Sequence, residues 1–186
     1  MVFELNEVLT EGAARTLSMM AEEGRMTCLT GGTAELRSRW LRVMLGFEPT
    51  LTGFVSIDGE PLTASAAPTL RQLMAYAPAC LTSEGEVVVY EAPSVQDVFN
   101  LETNRECPIS NGILSEEMRR VGADADDVRT RLIAVAVLLN RPILLIDNPP
   151  AAAALYLARQ ARQGKMVIVC SQESKVLEVA DQIVEL

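Results

Sequence analysis

A short apolar segment, a glycine pair and an amphipathic segment follow one another near the start of the chain, and together they limit its possible folds. Residues 26–30 are predicted to form a buried strand that ends at Gly31 and Gly32. Apolar side chains recur at helical spacing in residues 33–45, and Gly46 follows, where a helix C-cap favours glycine. A strand that passes through a glycine turn into a helix is typical of parallel-sheet proteins.

The remaining segments alternate between strand-like and helix-like patterns. Strands are predicted at residues 3–8 (as an edge strand), 53–57, 73–76, 87–90, 143–146, 166–170 and 183–186. Helices are predicted at 128–140, 150–163 and 173–181, and a polar helical region at 94–120 is predicted to be interrupted at 107–108 and 111–112. This alternation predicts an α/β fold with a mostly parallel sheet flanked by helices.

Length and charge narrow the class of protein. A chain of 186 residues is long enough for one compact domain. The formal net charge of −9 argues against a general nucleic-acid or anionic-membrane binder, because phosphates attract Lys and Arg. The cluster of Arg37, Arg39 and Arg42 still leaves room for a local basic patch. The apolar run at 132–139 is far shorter than the roughly 20 residues of a membrane-spanning helix, and the acidic N-terminus argues against a signal peptide.

Histidine is absent, and the four cysteines are widely spaced. Catalysis by a Ser-His or Cys-His pair is therefore excluded, and a zinc site has few ligands available. Cys28 and Cys170 lie within apolar segments and are predicted to be buried, reduced thiols. Reduced cysteines are typical of cytoplasmic proteins.

Residues 31–38 follow the frame of a phosphate-binding loop, G-x-x-x-x-G-K-[ST]. Gly31 and Ser38 match its first glycine and its hydroxyl, whereas Leu36 replaces the second glycine and Arg37 the lysine. In such a loop the backbone N–H groups converge on phosphates, the lysine reaches the terminal phosphates and the hydroxyl holds magnesium. A Leu36 side chain would crowd that space, and a guanidinium is bulkier than an ammonium. Taken alone, the segment favours a coincidental strand-to-helix turn.

Taken together, the landmarks of the chain resemble the ATP-binding subunits of ABC transporters and follow that family's order. The resemblance is carried by GRMTCLTGGTAELRSRWLRVMLGFEPTLTGFVSIDG at 24–59, LMAYAP at 73–78, SVQDVFN at 94–100, RLIAVAVLLNRPILLIDNP at 131–149 and MVIVCSQESKVLEVADQIVEL at 166–186. These segments cover nearly the whole chain, although no single motif is intact. The resemblance implies a P-loop NTPase-type fold with an N-terminal antiparallel β portion and a shortened helical subdomain.

The resemblance also implies roles for individual residues. Asp147 matches the family's aspartate that, with the hydroxyl of Ser38, helps to hold magnesium. Asn148 stands at the position of the catalytic glutamate, where an amide cannot act as a general base. Gln172 stands at the switch-histidine position without a titratable imidazole, and Ala79 at the glutamine-loop position without a side-chain oxygen. If nucleotide binding is retained, the resemblance assigns it to Gly31, Gly32, Thr33, Arg37, Ser38 and Arg39.

Other motif positions of the family also differ in this sequence. The signature sequence would fall at residues 124–128, where three aspartates would repel a phosphate. We prefer to interpret Asp124, Asp126 and Asp127 as capping residues of the helix that follows. The dimer-contact loop consists of four alanines at 151–154, and no aromatic residue that could stack on adenine is evident before Gly24.

We expect one ABC ATPase-like domain over residues 1–186, with 1–78 and 128–186 as its core and 79–127 as a reduced helical subdomain. Three functions stay open. We prefer a degenerate subunit, a pseudo-ATPase that acts as a structural or regulatory partner in a transporter-like complex. The second is a divergent ATPase with weak Mg-ATP hydrolysis. The third is an unrelated P-loop-like or Rossmann-like binding module.

These interpretations differ in the ligands and partners that they require. The pseudo-ATPase needs no cofactor, whereas the divergent ATPase needs ATP, and magnesium held by Ser38 and Asp147. The expected partners are another ABC-type subunit, a second copy of the chain or membrane-embedded transporter chains, with neither nucleic-acid binding nor direct membrane insertion. We therefore expect a cytoplasmic protein that associates with membranes only through its partners.

Overall fold

Two main β-sheets organise the part of the chain that the structure describes. The computed structural model describes residues 1–79, 82–83, 86–87, 109–122 and 127–186. The first sheet has the order β2-β1-β4-β5, in which β1 is Val2–Leu9, β2 is Leu17–Glu22, β4 is Thr52–Ile57 and β5 is Glu60–Pro61. All its pairings are antiparallel, as the prediction of an N-terminal antiparallel portion requires.

The prediction that residues 3–8 form an edge strand was wrong, because β1 lies between β2 and β4. Its missed neighbour, β2, alternates buried and exposed side chains, with Leu17, Met19 and Ala21 buried. A bulge interrupts the pairing of β1 with β4, and there Gly53 has a φ of +72°. A Cβ at Gly53 would stand 2.2 Å from the carbonyl oxygen of Asn6, so only glycine fits this crossing.

The second sheet is parallel and has the order β11-β3-β10-β9-β6. Its strands are β3 (Met26–Thr30), β6 (Met74–Ala77), β9 (Ile143–Asp147), β10 (Met166–Cys170) and β11 (Gln182–Glu185). Every residue of β9 and β10 is buried, which is typical of central strands covered on both faces. The predicted mostly parallel sheet flanked by helices is thereby confirmed.

Helices cover both faces of the parallel sheet. They are α1 (Ala34–Met44), α2 (Ala67–Leu70), α3 (Asn111–Val121), α4 (Val128–Leu138), α5 (Ala154–Arg162) and α6 (Ser174–Val179), with 3-10 turns at Arg71–Leu73 and Ala151–Ala153. One apolar cluster joins the antiparallel sheet, α1 and one face of the parallel sheet, and contains Phe3 and Trp40. A second cluster packs α3, α4 and α5 on the other face.

The segment between the two halves of the core is only partly described. A short antiparallel pair consists of β7 (Thr82–Ser83) and β8 (Glu86–Val87), and the rest of the strand predicted at 87–90 lies outside the described residues. The same holds for residues 94–100 and the interruption predicted at 107–108. The interruption predicted at 111–112 was wrong, because Asn111 and Gly112 begin α3. Ser110 caps that helix by accepting a hydrogen bond from the Ile113 N–H at 3.3 Å.

In the described part of the chain, every helix is too short or too polar to cross a bilayer. Cys28 and Cys170 are buried and reduced, as predicted, and burial raises the pKa of the Cys28 thiol to about 11. The carboxyl ends of β3, β9 and β10 meet at one edge of the parallel sheet. That edge is where open α/β sheets present their binding residues.

Candidate functional site: the loop between β3 and α1

The loop that follows β3 turns sharply and enters α1. Gly31 and Gly32 both adopt positive φ, +82° and +56°. Thr33 is the N-cap of α1, and its hydroxyl accepts a hydrogen bond from the Leu36 N–H at 3.1 Å. The Leu36 side chain packs over Gly32, since a Cβ at Gly32 would lie 3.0 Å from a methyl carbon of Leu36. The leucine therefore stands over the glycine turn.

Arg37 fills the interior of this loop. Only 6% of the residue is exposed, and its Nη1 donates hydrogen bonds to the carbonyl oxygens of Gly31 at 2.9 Å and Gly32 at 3.0 Å. The Gln172 side-chain amide donates to the same Gly32 oxygen at 3.5 Å. A phosphate cradle presents backbone N–H groups to an anion. Here the loop presents two carbonyl oxygens to a buried cation, so in this conformation its geometry does not fit a phosphate chain.

The other end of the segment carries a hydroxyl–carboxylate pair. The Ser38 hydroxyl donates to Oδ2 of Asp147 at 2.5 Å, and the backbone N–H of Ala79 also donates to that carboxylate. Burial raises the pKa of Asp147, while these hydrogen bonds and the charges of Arg37 and Arg42 partly offset the rise. A hydroxyl and a carboxylate in contact are oxygen ligands of the kind that magnesium takes, so this end of the segment does fit a cation.

Asp147 and Asn148 are positioned by the pairing of β9 with β10. Asp147 lies opposite Cys170 in the ladder, and the Asn148 N–H donates to the Cys170 carbonyl at 2.8 Å. Asn148 has a φ of +45°, a conformation that asparagine tolerates better than most residues. The Cys170 thiol donates to the Arg37 carbonyl oxygen at 3.3 Å, and burial raises the pKa of that thiol well above its usual value. Strand β10 is thereby tied to both the loop and the end of β9.

A cavity of about 430 Å³ opens at this edge of the sheet and brings several of the predicted residues together. Its polar lining consists of Arg37, Arg129, Asn148, Gln172 and Glu173. The sequence did not single out Arg129, which reaches the cavity from the first turn of α4. Asp127 caps that helix, because its carboxylate accepts a hydrogen bond from the Arg129 N–H at 3.1 Å. The capping role predicted for Asp127 is confirmed, and Asp124 and Asp126 lie outside the described residues.

Two of the clustered arginines lie outside the cavity lining. Arg39 pairs with Glu48 at 3.0 Å and donates to the backbone oxygen of Glu11 at 2.9 Å. Arg42 pairs with Glu48 at 2.5 Å and with Glu35 at 2.7 Å. Because each positive charge has an acidic neighbour, this stretch of α1 does not form a basic patch. The nucleotide contact expected of Arg39 stays a prediction.

A smaller cavity, of about 310 Å³, lies between residues 12–17 and the glycine turn. Thr33, Leu36 and Trp40 contribute to its lining. The indole N–H of Trp40 is buried and has no hydrogen-bond partner within the described ranges. Phe3, an aromatic residue that precedes Gly24, is fully buried in the core.

The four alanines predicted to form the dimer-contact loop occupy the 3-10 turn Ala151–Ala153 and the first residue of α5. Ala153 and Ala154 are buried against the second apolar cluster. Across the described residues, no group of three or more Cys, Asp or Glu side chains could hold a metal ion by itself. Ser38 and Asp147 are therefore the candidate magnesium ligands here, and they would need further ligands from the nucleotide or from water.

Comparison with solved structures finds proteins that share this architecture. An ATP-binding subunit of an ABC transporter superposes with a TM-score of 0.74 at 19% identity, over 100% of this chain and 86% of that one. A putative ABC transporter ATP-binding protein from Pyrococcus furiosus gives a TM-score of 0.75 at 12% identity, over 100% of this chain and 98% of that one. A bacterial ABC transporter cassette solved as a dimer gives a TM-score of 0.68 at 16% identity, over 99% of this chain and 94% of that one. No family model and no curated protein sequence matches the chain.

At these identities the likeness concerns the fold. The chain has the α/β fold of ABC transporter ATP-binding cassettes, with an antiparallel sheet beside a helix-flanked parallel sheet. The fold that the sequence landmarks implied is therefore confirmed, and the architecture gives no support to an unrelated Rossmann-like module.

Proposed function

We propose that this chain is a degenerate subunit of the ABC ATP-binding type, a pseudo-ATPase that acts as a structural or regulatory partner in a transporter-like complex. The observation that carries the proposal is the position of Arg37, whose guanidinium is hydrogen-bonded to the carbonyl oxygens of Gly31 and Gly32. A phosphate chain in this loop would have to displace a buried cation and turn the backbone around. Leu36, packed over Gly32, adds a steric obstacle.

Three further positions support the absence of hydrolysis. Asn148 lines the cavity where the family resemblance expects a glutamate, and its amide has no carboxylate to accept a proton from water. Gln172 lines the same cavity without a titratable ring, and its amide is turned to the Gly32 carbonyl. Ala79 approaches Asp147 through its backbone N–H alone. Without a base, a residual rate would depend on positioning and charge alone.

One observation favours the alternative, a divergent ATPase with weak Mg-ATP hydrolysis. The Ser38 hydroxyl and the Asp147 carboxylate are in contact at 2.5 Å, and both stand where the resemblance places magnesium ligands. A pair of this kind supports cation binding even where the loop itself is closed. We rank this function second, because the Arg37 guanidinium occupies the glycine turn that a phosphate chain would have to enter.

Titration of the purified chain with Mg-ATP separates the two functions. A ligand present at 100 times its dissociation constant raises the free energy of unfolding by roughly 2.7 kcal/mol. We expect no thermal shift and no calorimetric heat up to millimolar Mg-ATP. A saturable shift that disappears in Asp147→Ala would overturn the pseudo-ATPase proposal and favour the alternative.

The proposed partners are a second ABC-type subunit, a second copy of the chain or membrane-embedded transporter chains. The dimeric state of the bacterial cassette with the same fold supports a partner of this kind. Under this proposal the chain lies in the cytoplasm and reaches membranes through its partners. Affinity purification from gently solubilised native cells tests it, with co-purification of an ABC-type subunit or a transporter membrane chain as the expected result. Recovery of the chain alone and monomeric would count against a partner role.

A further inference from the structure

Arg37 is an uncommon kind of buried cation. Its side chain is not exposed to solvent in the manner of a surface arginine, and the oxygens that it contacts belong to the backbone of the glycine turn. Hydrogen bonds from a charged donor are about twice as strong as neutral ones. Two such bonds to adjacent carbonyls therefore fix the orientation of both peptide groups.

The backbone of Arg37 is held as firmly as its side chain. Its N–H donates to the Thr33 carbonyl at 3.1 Å in the first turn of α1, and its carbonyl accepts from the Cys170 thiol at 3.3 Å. The residue thus connects the loop, α1 and β10. The charge of Arg37 also partly offsets the effect of burial on the pKa of Asp147, so the side chain acts on both ends of residues 31–38.

From this geometry we propose that Arg37 is an intramolecular occupant of the loop, which holds Gly31 and Gly32 in a conformation closed to phosphates. The proposal deepens the function proposed above and rests on it: the loop is closed by a tethered side chain, and the site would open if that side chain were removed. Closure then resides chiefly in the two Arg37 hydrogen bonds, with Leu36 packed over Gly32 beside them, rather than in the loss of the loop itself. The glycine turn, the Thr33 cap and the Ser38–Asp147 pair all remain in place beneath it.

The test uses the full chain and four proteins: wild type, Arg37→Ala, the double variant Leu36→Gly with Arg37→Lys, and the control Arg42→Ala. Arg42 lies on the same helix but pairs with Glu35 and Glu48 outside the loop. Two measurements are made on each protein. Amide hydrogen exchange reports on residues 31–38, and thermal shift reports binding of Mg-ATP and, separately, of inorganic pyrophosphate.

We expect exchange in residues 31–38 to be about tenfold faster in Arg37→Ala than in wild type, because two charge-assisted hydrogen bonds are lost. Arg42→Ala should match the wild type. Arg37→Ala and the double variant should gain a saturable thermal shift with pyrophosphate and Mg-ATP that wild type and Arg42→Ala lack. Should Arg37→Ala fail to fold, the double variant, which keeps a positive charge at position 37, carries the binding test alone.

The outcomes separate this proposal from the function on which it rests. A thermal shift with Mg-ATP in the wild type would overturn the pseudo-ATPase function. Unchanged loop exchange in a folded Arg37→Ala, with the wild type silent toward ATP, would overturn the occupancy proposal and leave the pseudo-ATPase function standing. Faster exchange without any gain of pyrophosphate binding in either variant would show that Arg37 orders the loop without closing it, and would also overturn the proposal.

Discussion

Residues 31–38 run from the glycine turn into α1, and their two ends hold opposite polar arrangements. At the glycine end, a buried guanidinium is surrounded by backbone carbonyl oxygens of Gly31 and Gly32. At the helix end, the Ser38 hydroxyl meets the buried carboxylate of Asp147. One end therefore satisfies a cation with the protein's own oxygens, and the other retains oxygens of the kind that a metal ion takes.

This difference shows that the altered positions of the segment do not act alike. Compared with the lysine that the family resemblance would place here, Arg37 has a longer side chain with a planar fork, which folds back onto the turn from which its helix starts. The retained hydroxyl and carboxylate need no such change, because they satisfy each other. A site can thus keep half of its polar groups in place while the other half is used to hold the backbone.

The largest effect is expected from Arg37→Met, which keeps most of the side-chain volume and removes the charge and donors. The Gly31 carbonyl oxygen would lose its charged donor and the Gly32 oxygen would keep only the longer contact with Gln172, so we expect the free energy of unfolding to fall by about 3 kcal/mol. Urea unfolding followed by circular dichroism measures it. The matched change Arg42→Met on the same helix should cost at most about 1 kcal/mol, because its ion pairs with Glu35 and Glu48 are only partly buried. Equal losses in the two variants would remove the contrast between Arg37 and the less buried Arg42.

A smaller loss is expected from Asp147→Ala at the opposite end. The Ser38 hydroxyl and the Ala79 N–H would both lose their acceptor, which corresponds to about 2 kcal/mol. Asp147→Asn keeps an acceptor oxygen in the same position, so its free energy of unfolding should stay within about 1 kcal/mol of wild type. If Asn were as damaging as Ala, the charge rather than the hydrogen bonds would hold this end together.

Much of the scaffold could be predicted from the sequence because burial leaves a simple pattern. The continuous apolar runs that became β3, β9 and β10 are buried on both faces, and the glycine-bounded helical pattern became α1 with its Thr33 cap. The order of these elements carried the resemblance to ABC ATP-binding subunits, and the fold follows it.

Two errors in the fold have physical causes. Strand β2 was missed because it is only six residues long and its exposed Met20 breaks the alternation of apolar and polar residues. Without β2, β1 looked like an edge. The start of α3 was missed because Asn111 and Gly112 favour turns, and the cap from Ser110 outweighed that local preference.

Only part of the candidate site could be predicted from the sequence. Arg37 and Ser38 could be named from the loop frame and Asp147 from the family resemblance, because order and spacing are visible in the chain. The direction in which Arg37 turns could not be predicted, since an arginine at this position reaches either outward to a ligand or inward to the Gly31 and Gly32 carbonyls. Arg129 was missed for a related reason: the fold, and not its neighbours in sequence, brings the first turn of α4 to the cavity.

Ser38→Ala tests the helix end more gently. The variant removes one donor to Asp147 and leaves the Ala79 N–H in place, so we expect a loss of about 1 kcal/mol. Differential scanning calorimetry measures the loss of stability. Thr33→Ala, which removes the helix cap, is measured beside it as a reference, because a cap of this kind also contributes about 1 kcal/mol. A gain in stability would mean that the hydroxyl is retained at a structural cost, which would strengthen the case for a bound cation.

The smallest expected effect is a pH dependence that Asp147 contributes to stability. Because burial raises its pKa above the ordinary value of 3.8, the native chain keeps the proton over an interval in which the unfolded chain has lost it. The free energy of unfolding of the wild type therefore falls as pH rises through that interval. Asp147→Asn lacks this contribution, and the other acids should titrate in the same way in both proteins. Urea midpoints of the two proteins, compared from below pH 3.8 to neutral, should diverge in favour of Asn as pH rises. Divergence in the opposite direction would mean that Ser38, Ala79 and the nearby arginines stabilise the carboxylate more than burial disfavours it. The surroundings of Asp147 would then stabilise its charge, as the Gly31 and Gly32 carbonyls stabilise the charge of Arg37.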